Sequence, residues 1–353
     1  MSKAAELAKA GETLTNQPSG RKNIVTNGAM QIAQRGTSST GLGAAAGYFT
    51  CDRWKIDTAN SAGRFTMTQT ADGPTGISAN CLKLDCTTAD ASIAAAEYLV
   101  LFQHFEGQDL QGIGKGLSGA KEITLSFYVK ASAAFTFGAE LYDQDNGRQI
   151  TKLFDTTTGW VRHEFVIPAD PDDGSSPFGD DNLSSLTLHF WIHAGSNFTS
   201  GTLNTAAWAN NTTANRAAGI DSFYSSTDNE FFLTGVQLEI GSQATNFEHR
   251  SFGEELALCQ RYFYVFGGEE GAPNLQGYGK GGDNTFGFTY PTNMRASPSG
   301  ATSGTWQKTN CGDPVLVHQS SRQFSVRTAV ASEGAFEVYP SSGSGKINMD
   351  AEL

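Results

Sequence analysis

The chain has 353 residues, 39% of them hydrophobic and 11% aromatic, which is enough for two or three domains with real cores. Its 40 glycines and low charged fraction of 17% favour short strands joined by turns over a helical or α/β architecture. A formal charge of −12 excludes a field attractive to nucleic acid, and no apolar run reaches the roughly 18 residues of a membrane-spanning helix.

The first stretch, residues 1–22, contains one helix-like piece, SKAAELAKA, followed by the breaker-rich NQPSGRKN. It carries Lys3, Lys9, Arg21 and Lys22 against Glu6 and Glu12, and it is too short to bury a core alone, so it reads as an attachment arm or a flexible leader. It lacks the apolar centre of a secretory signal; the expectation is synthesis in the cytosol without export by the usual route. Cys51, Cys81, Cys86, Cys259 and Cys311 form no C-x-x-C pair and lie in apolar contexts, which predicts reduced core residues.

From residue 23 to about 250 the pattern is strand after strand. ITLSFYVKA alternates Ile123, Leu125, Phe127 and Val129 with polar residues. FTFGAELYDQDNGRQITKLF has two β-like runs about Asn146-Gly147, a dipeptide suited to a type I′ hairpin turn. WVRHEFVIP, SLTLHFWIHAG and EFFLTGVQLEIG alternate in the same way, so the segment predicts an antiparallel β-sandwich of jelly-roll type. A long polar insertion, residues 196–229, interrupts it and reads as functional or interface-forming.

Residues 251–266 then turn helical, with Leu256, Cys259, Tyr262 and Phe263 spaced three and four apart. The spacing predicts a linker helix whose stripe needs a partner surface, either the neighbouring domain or the same helix in other subunits. Residues 267–353 are short β-runs separated by Gly and Ser. They predict a small all-β domain that buries little surface alone and gains from oligomerisation.

Several phrases together, NIVTNGAMQIAQRGTS, GYFTCDRWKI, ITLSFYVKAS, WIHAGSNFTSGTLNTAAWANNTTANRA, LTGVQLEIGSQATNFEHRSFGEELALCQRYF, PTNMRASP and INMDAEL, resemble bacteriophage tail-fibre or receptor-binding proteins. The resemblance runs from Asn23 onward and leaves the arm outside. It implies a carbohydrate-binding-module-like jelly roll, a short helix, a small C-terminal β-domain and a homotrimer. It also implies a virion location, docking to other virion proteins, and a host-surface glycan or protein as receptor. A structural head fibre or capsid decoration protein of the same fold is the alternative.

Alternation assigns the sandwich strands a second face carrying Tyr128, Glu140, Tyr142, Arg162, Glu164, His189, Trp191 and His193. Rings for stacking with charged groups for hydroxyls suit a sugar platform; the competing reading is a layer packed beneath the insertion or against a neighbouring subunit. ADPDDGSSPFGDDN clusters Asp170, Asp172, Asp173, Asp180 and Asp181. Its spacing does not match an EF-hand loop, so a solvated acidic loop is the first reading and a structural calcium on Asp170, Asp172 and Asp173 the second; no other cofactor is expected. Glu140 and Glu164 are the candidate pair for polysaccharide hydrolysis, but two carboxylates on a sheet face are commonplace, and with no nucleophile elbow beside His163 or His249 the expectation is a non-enzyme. The aromatics Tyr278, Phe286, Phe288, Tyr290, Trp306, Phe324 and Phe336 look exposed and make the last segment the preferred receptor-binding tip.

Overall fold

The alternating runs all become strands. The computed structural model describes Lys3 and residues 21–59, 61–171, 176–269, 271–341 and 343–353, and divides into two units, Met1–Ser251 and Phe252–Leu353. The predicted arm therefore lies almost wholly outside the described residues.

In the first unit the strands are β1 (Ser38–Leu42), β2 (Gly47–Tyr48), β3 (Lys55–Ala59), β4 (Arg64–Thr70), β5 (Cys81–Thr88), β6 (Tyr98–Glu106) and β7 (Ile123–Ala131). They continue with β8 (Thr136–Asp143), β9 (Arg148–Asp155), β10 (Val161–Ile167), β11 (Ser184–Ala194), β12 (Ala209–Asn210) and β13 (Glu230–Ile240), with one helical turn, α1 (Ser196–Thr199), after β11. A six-stranded sheet runs β1, β4, β5, β13, β7, β10, and a seven-stranded sheet runs β12, β9, β8, β11, β6, β3, β2. Every pairing is antiparallel, and most consecutive strands cross from one sheet to the other, which makes the unit a jelly-roll sandwich. Ile123, Leu125, Phe127 and Val129 point inward as their spacing predicts, against Leu101, Leu188 and Phe190 of the other sheet.

Two details differ from expectation. The β8–β9 connection is a four-residue loop, 144–147, with positive φ only at Gly147 and not a two-residue type I′ turn. Asp143 Oδ1 accepts the backbone N–H groups of Asp145 and Asn146 at 2.9 and 3.1 Å, and this side-chain turn replaces the backbone one. The second difference is that crossing strands split the predicted polar face. Tyr128, Arg162 and Glu164 lie on the six-stranded sheet, whereas Glu140, Tyr142, His189, Trp191 and His193 lie on the seven-stranded one.

The two ends of the first unit are buttoned together. Asn23 Nδ2 donates to the Val236 carbonyl at 3.1 Å, and its Oδ1 accepts from the N–H groups of Val25 and Leu238 at 3.0 and 3.1 Å. Glu248 Oε2 accepts the Asn23 N–H at 2.6 Å, and the Arg250 guanidinium reaches the carbonyls of Asn23 and Val25. A Cβ on Gly28 would meet the Val236 carbonyl at 2.1 Å, so only glycine permits this approach. The NIVTNG and NFEHR phrases are thus the closure of the sandwich.

The second unit holds α2 (Phe252–Gln260), β14 (Phe263–Gly267), β15 (Leu275–Thr289), β16 (Ser299–Ser303), β17 (Trp306–Thr309), β18 (Val315–Gln319), β19 (Gln323–Pro340) and β20 (Lys346–Asp350). One sheet runs β14, β20, β16; the other runs β15, β19, β17, with β18 also on β19. The helix stops at Gln260, short of the predicted Phe266, because the aromatic and β-branched run Phe263–Gly267 pairs with β20, Phe263 opposite Asp350. Cys259, Tyr262 and Phe263 are buried within the chain and Leu256 is half-buried, so the predicted oligomerisation stripe is already largely covered.

Replacing Asn23 by Ala strands three buried backbone groups and should lower the stability of the first unit by about 2–4 kcal/mol. Urea denaturation followed by circular dichroism measures this; an unchanged midpoint would show that the closure is dispensable.

Candidate functional site

The outer face of the seven-stranded sheet is built by register. Directly opposed residues share a face, and the pairs Tyr48–Lys55, Lys55–Phe102, Phe102–His189, His189–Glu140 and Glu140–Thr151 form one row across six strands. A second row carries His104, Thr187 and Tyr142, and a third carries Val100, Trp191 and Gly138.

The insertion roofs part of this face. Arg216, the one basic residue between Ser196 and Asn229, donates from Nε to Glu140 Oε1 at 2.9 Å and from Nη2 to Oε2 at 2.8 Å. Trp191 Nε1 donates to the same Oε2 at 2.7 Å. The guanidinium lies 4.9 Å from the ring centres of both Tyr142 and Trp191. Phe198 of α1 packs on Tyr98 and Trp191, and with Ala217 and Ile220 these residues form a small apolar layer. Glu140 and Trp191 are consequently buried, so the reading in which this face packs beneath the insertion holds for them, whereas a bulge after Trp191 sets His193 opposite Leu99, on the core side of the sheet.

Away from Arg216 the face stays half-open. Tyr48, Lys55, His104 and Tyr142 are half-exposed, around a nearly buried Phe102 and a largely buried His189. The Phe102 ring lies 4.9 Å from His104 and 5.3 Å from His189, and the Lys55 ammonium stands 5.4 Å from Tyr48 and 5.5 Å from Phe102. His104 Nδ1 is 2.8 Å from the Ser184 hydroxyl, and Gln144 Nε2 donates to Thr187 Oγ1 at 2.8 Å. The band therefore offers apolar ring faces interleaved with imidazole, amide and hydroxyl groups, a combination suited to a polyol with apolar faces. Tyr142 and His189 were predictable members. Phe102 and His104 follow from the same alternation in YLVLFQHFE, whereas Tyr48 and Arg216 lie in segments with no strand signal.

His189 has its Nδ1 3.3 Å from Glu140 Oε2 without hydrogen-bond geometry. Burial, with Arg216 and His104 adding to it, holds its pKa well below the ordinary histidine value. His193, fully buried, has Nδ1 2.7 Å from Ser222 Oγ and Nε2 3.5 Å from Glu97; burial lowers its pKa against the opposing pull of Glu97.

The remaining predicted sites are dispersed. Glu140 and Glu164 lie on different sheets, which removes the paired-carboxylate arrangement. Arg162 lies 2.7 Å from Glu164 and 5.8 Å from the Tyr128 ring on the six-stranded sheet. Asp170 is engaged by two cations, Arg148 and Lys115, which leaves it unsuited to a metal ion; Asp172 and Asp173 lie outside the described residues. Among the described residues no group of three metal-binding side chains converges. Of the tip aromatics, Tyr290, Trp306, Phe324 and Phe336 are buried, and Phe286 and Phe288 pack on that core; only Tyr278, 67% exposed, faces solvent. The thin second unit needs those rings for its own interior: Phe324 stacks on Phe288 and Tyr290 at 5.3 and 4.9 Å.

No protein-family model and no curated protein matches the sequence. Among solved structures the chain is similar to a CBM4 protein, at 12% identity over 61% of this chain and 99% of that one, with a TM-score of 0.31. It is also similar to TmCBM61, solved with β-1,4-galactotriose, at 9% identity over 62% and 99%, TM-score 0.29. The CBM22-1 xylan-binding domain from Paenibacillus barcinonensis Xyn10C stands at 13% identity over 64% and 100%, TM-score 0.29. At these identities and scores the likeness assigns neither a family nor a ligand.

Because His189 and His193 are held neutral in the fold, the unfolded chain binds more protons once pH drops below about 6.5. Their contribution is complete above that value and is lost as pH falls towards the depressed folded values. The thermal midpoint should therefore drop between about pH 7.5 and about pH 5.5, and drop less in His189→Gln; calorimetry at the two pH values checks it.

Proposed function

We propose that the chain is a non-enzymatic binding protein that holds a glycan on the open part of the seven-stranded sheet's outer face, as a subunit of a phage fibre. The observation that carries the glycan reading is the row of Tyr48, Lys55, Phe102 and His189, with His104 and Tyr142 beside it, left half-open beyond Arg216. Two half-exposed tyrosines with fixed neighbours can stack on sugar faces at little conformational cost, and the imidazoles and Gln144 supply hydroxyl partners. This favours the sandwich over the C-terminal unit as the binding element, since most of the second unit's aromatics serve its core.

The virion role rests on the sequence resemblance from Asn23 onward, and residues 1–22 are its proposed docking arm. Homotrimer formation draws support from apolar side chains that the second unit leaves at its surface, Phe252 at 60% exposure, Tyr278 at 67% and Val315 at 47%.

Tyr142→Ala and Tyr48→Ala should each weaken binding of envelope polysaccharide from a susceptible host about ten-fold, ~1.4 kcal/mol, with Tyr278→Ala near the parent value. Titration calorimetry measures this, and the reverse pattern would move the site to the second unit. Light scattering of the purified chain at micromolar concentration should give the mass of a trimer; a monomer would remove the oligomer from the proposal.

A further inference from the structure

A second cluster of charged side chains lies beneath the β8–β9 loop and takes no part in the glycan face. Lys115, 2% exposed, has its Nζ 2.6 Å from Asp143 Oδ2 and 2.8 Å from Asp170 Oδ2. Neither contact has hydrogen-bond geometry, so the nitrogen is pressed against the two carboxyl groups without a directed partner. The rings of Phe178 and Trp208 stand 5.5 and 5.6 Å from the same nitrogen. Arg148 holds Asp170 in place, donating from Nε and Nη2 at 2.9 and 2.8 Å.

The surroundings of Asp143 are asymmetric. Its Oδ1 accepts two backbone N–H groups, from Asp145 and Asn146, while Oδ2 faces Lys115 and, among the described residues, accepts only the Asn146 amide at 2.9 Å. Two backbone N–H groups on one carboxyl oxygen are what stabilises an oxyanion when a nucleophile adds to the carbon beside it. The nucleophile's atom is in contact on the other side. A second carboxylate within 3 Å of that atom can move its protons.

We infer that Lys115 and Asp143 join in an intramolecular isopeptide bond. Asp170 takes a proton from the Lys115 ammonium and delivers it to Asp143 Oδ2. Nζ then adds to Cγ, the charge that develops on Oδ1 is held by the N–H groups of Asp145 and Asn146, and a second proton passes through Asp170 from nitrogen to Oδ2. The Cγ–Oδ2 bond breaks and water leaves. Of the three ammonium protons, one remains on the amide and two depart in the water; the reaction consumes no oxidant or other co-reactant. The bond closes a covalent loop through β7 and β8, one crossover between the two sheets, and so locks the sandwich against local opening.

Mass spectrometry of the intact, denatured full-length protein tests this. The parent should be lighter than its sequence by one water, and peptide fragmentation should show the segment containing Lys115 linked to that containing Asp143. Lys115→Arg should restore the full sequence mass, and Asp170→Asn should leave Lys115 and Asp143 unlinked. A parent of full sequence mass overturns the inference and leaves an ion pair only. So does a missing water that persists in Lys115→Arg, as a cyclic imide at Asp72-Gly73 would give, or a link that maps to Asp170 in place of Asp143.

Discussion

Glu140 stands in the middle of a β-sheet with no exposed surface, and a carboxylate there is tolerable only with partners that replace its water. Arg216 supplies two hydrogen bonds and Trp191 a third. Meeting that requirement has consequences along the whole face. It brings the insertion down over Trp191, places a cation between two rings, and disfavours protonation of the neighbouring His189. It also sets where cover ends. Beyond the guanidinium, which itself lies 4.9 Å from the Tyr142 ring, His189, Phe102 and Tyr48 continue the shallow band. Fold, electrostatics and proposed binding surface thus meet at one ion pair, whose guanidinium keeps some contact with solvent.

The same economy governs the rest of the sandwich. Strands that cross between sheets leave loops at each end, and the described ends of the unit are tied by side chains acting on backbone groups. Asn23 alone satisfies three of them. The β8–β9 loop is organised by a carboxylate in the same way, through Asp143. Burial makes the cysteines of this unit inert. It pushes the Cys81 thiol up to about 12 and the Cys86 thiol up to about 11, so neither is poised as a thiolate near neutral pH.

Strand existence was legible in the sequence because period-two alternation is a local property: Ile123, Leu125, Phe127 and Val129 point inward as their spacing says. Which sheet a strand joins is not local. Arg162 and Glu164 alternate as cleanly as His189 and Trp191, and nothing in a period of two distinguishes the two outer faces, so alternation alone groups residues of both into one site. The second unit misled for a related reason. In a thin sheet with many glycines, an aromatic needed for the core looks like an aromatic left for a ligand, and Trp306 and Phe324 proved to be core. The spacing of Tyr262 and Phe263 continues that of the helix by chance, while pairing with β20 decides the conformation from Phe263 onward. Arg216 left one signal, a lone basic residue in a long polar insertion, but its partner could be named only once Glu140 was seen opposite.

Hydrogen exchange on the intact protein, with and without saturating envelope polysaccharide from a susceptible host, addresses the central claim most directly, because it locates the contact without altering any residue. The account predicts slower exchange in β6, β8 and β11 and at residues 214–218, with β15 and β19 unchanged. Protection confined to β15 and β19, with the seven-stranded sheet unaffected, would contradict it.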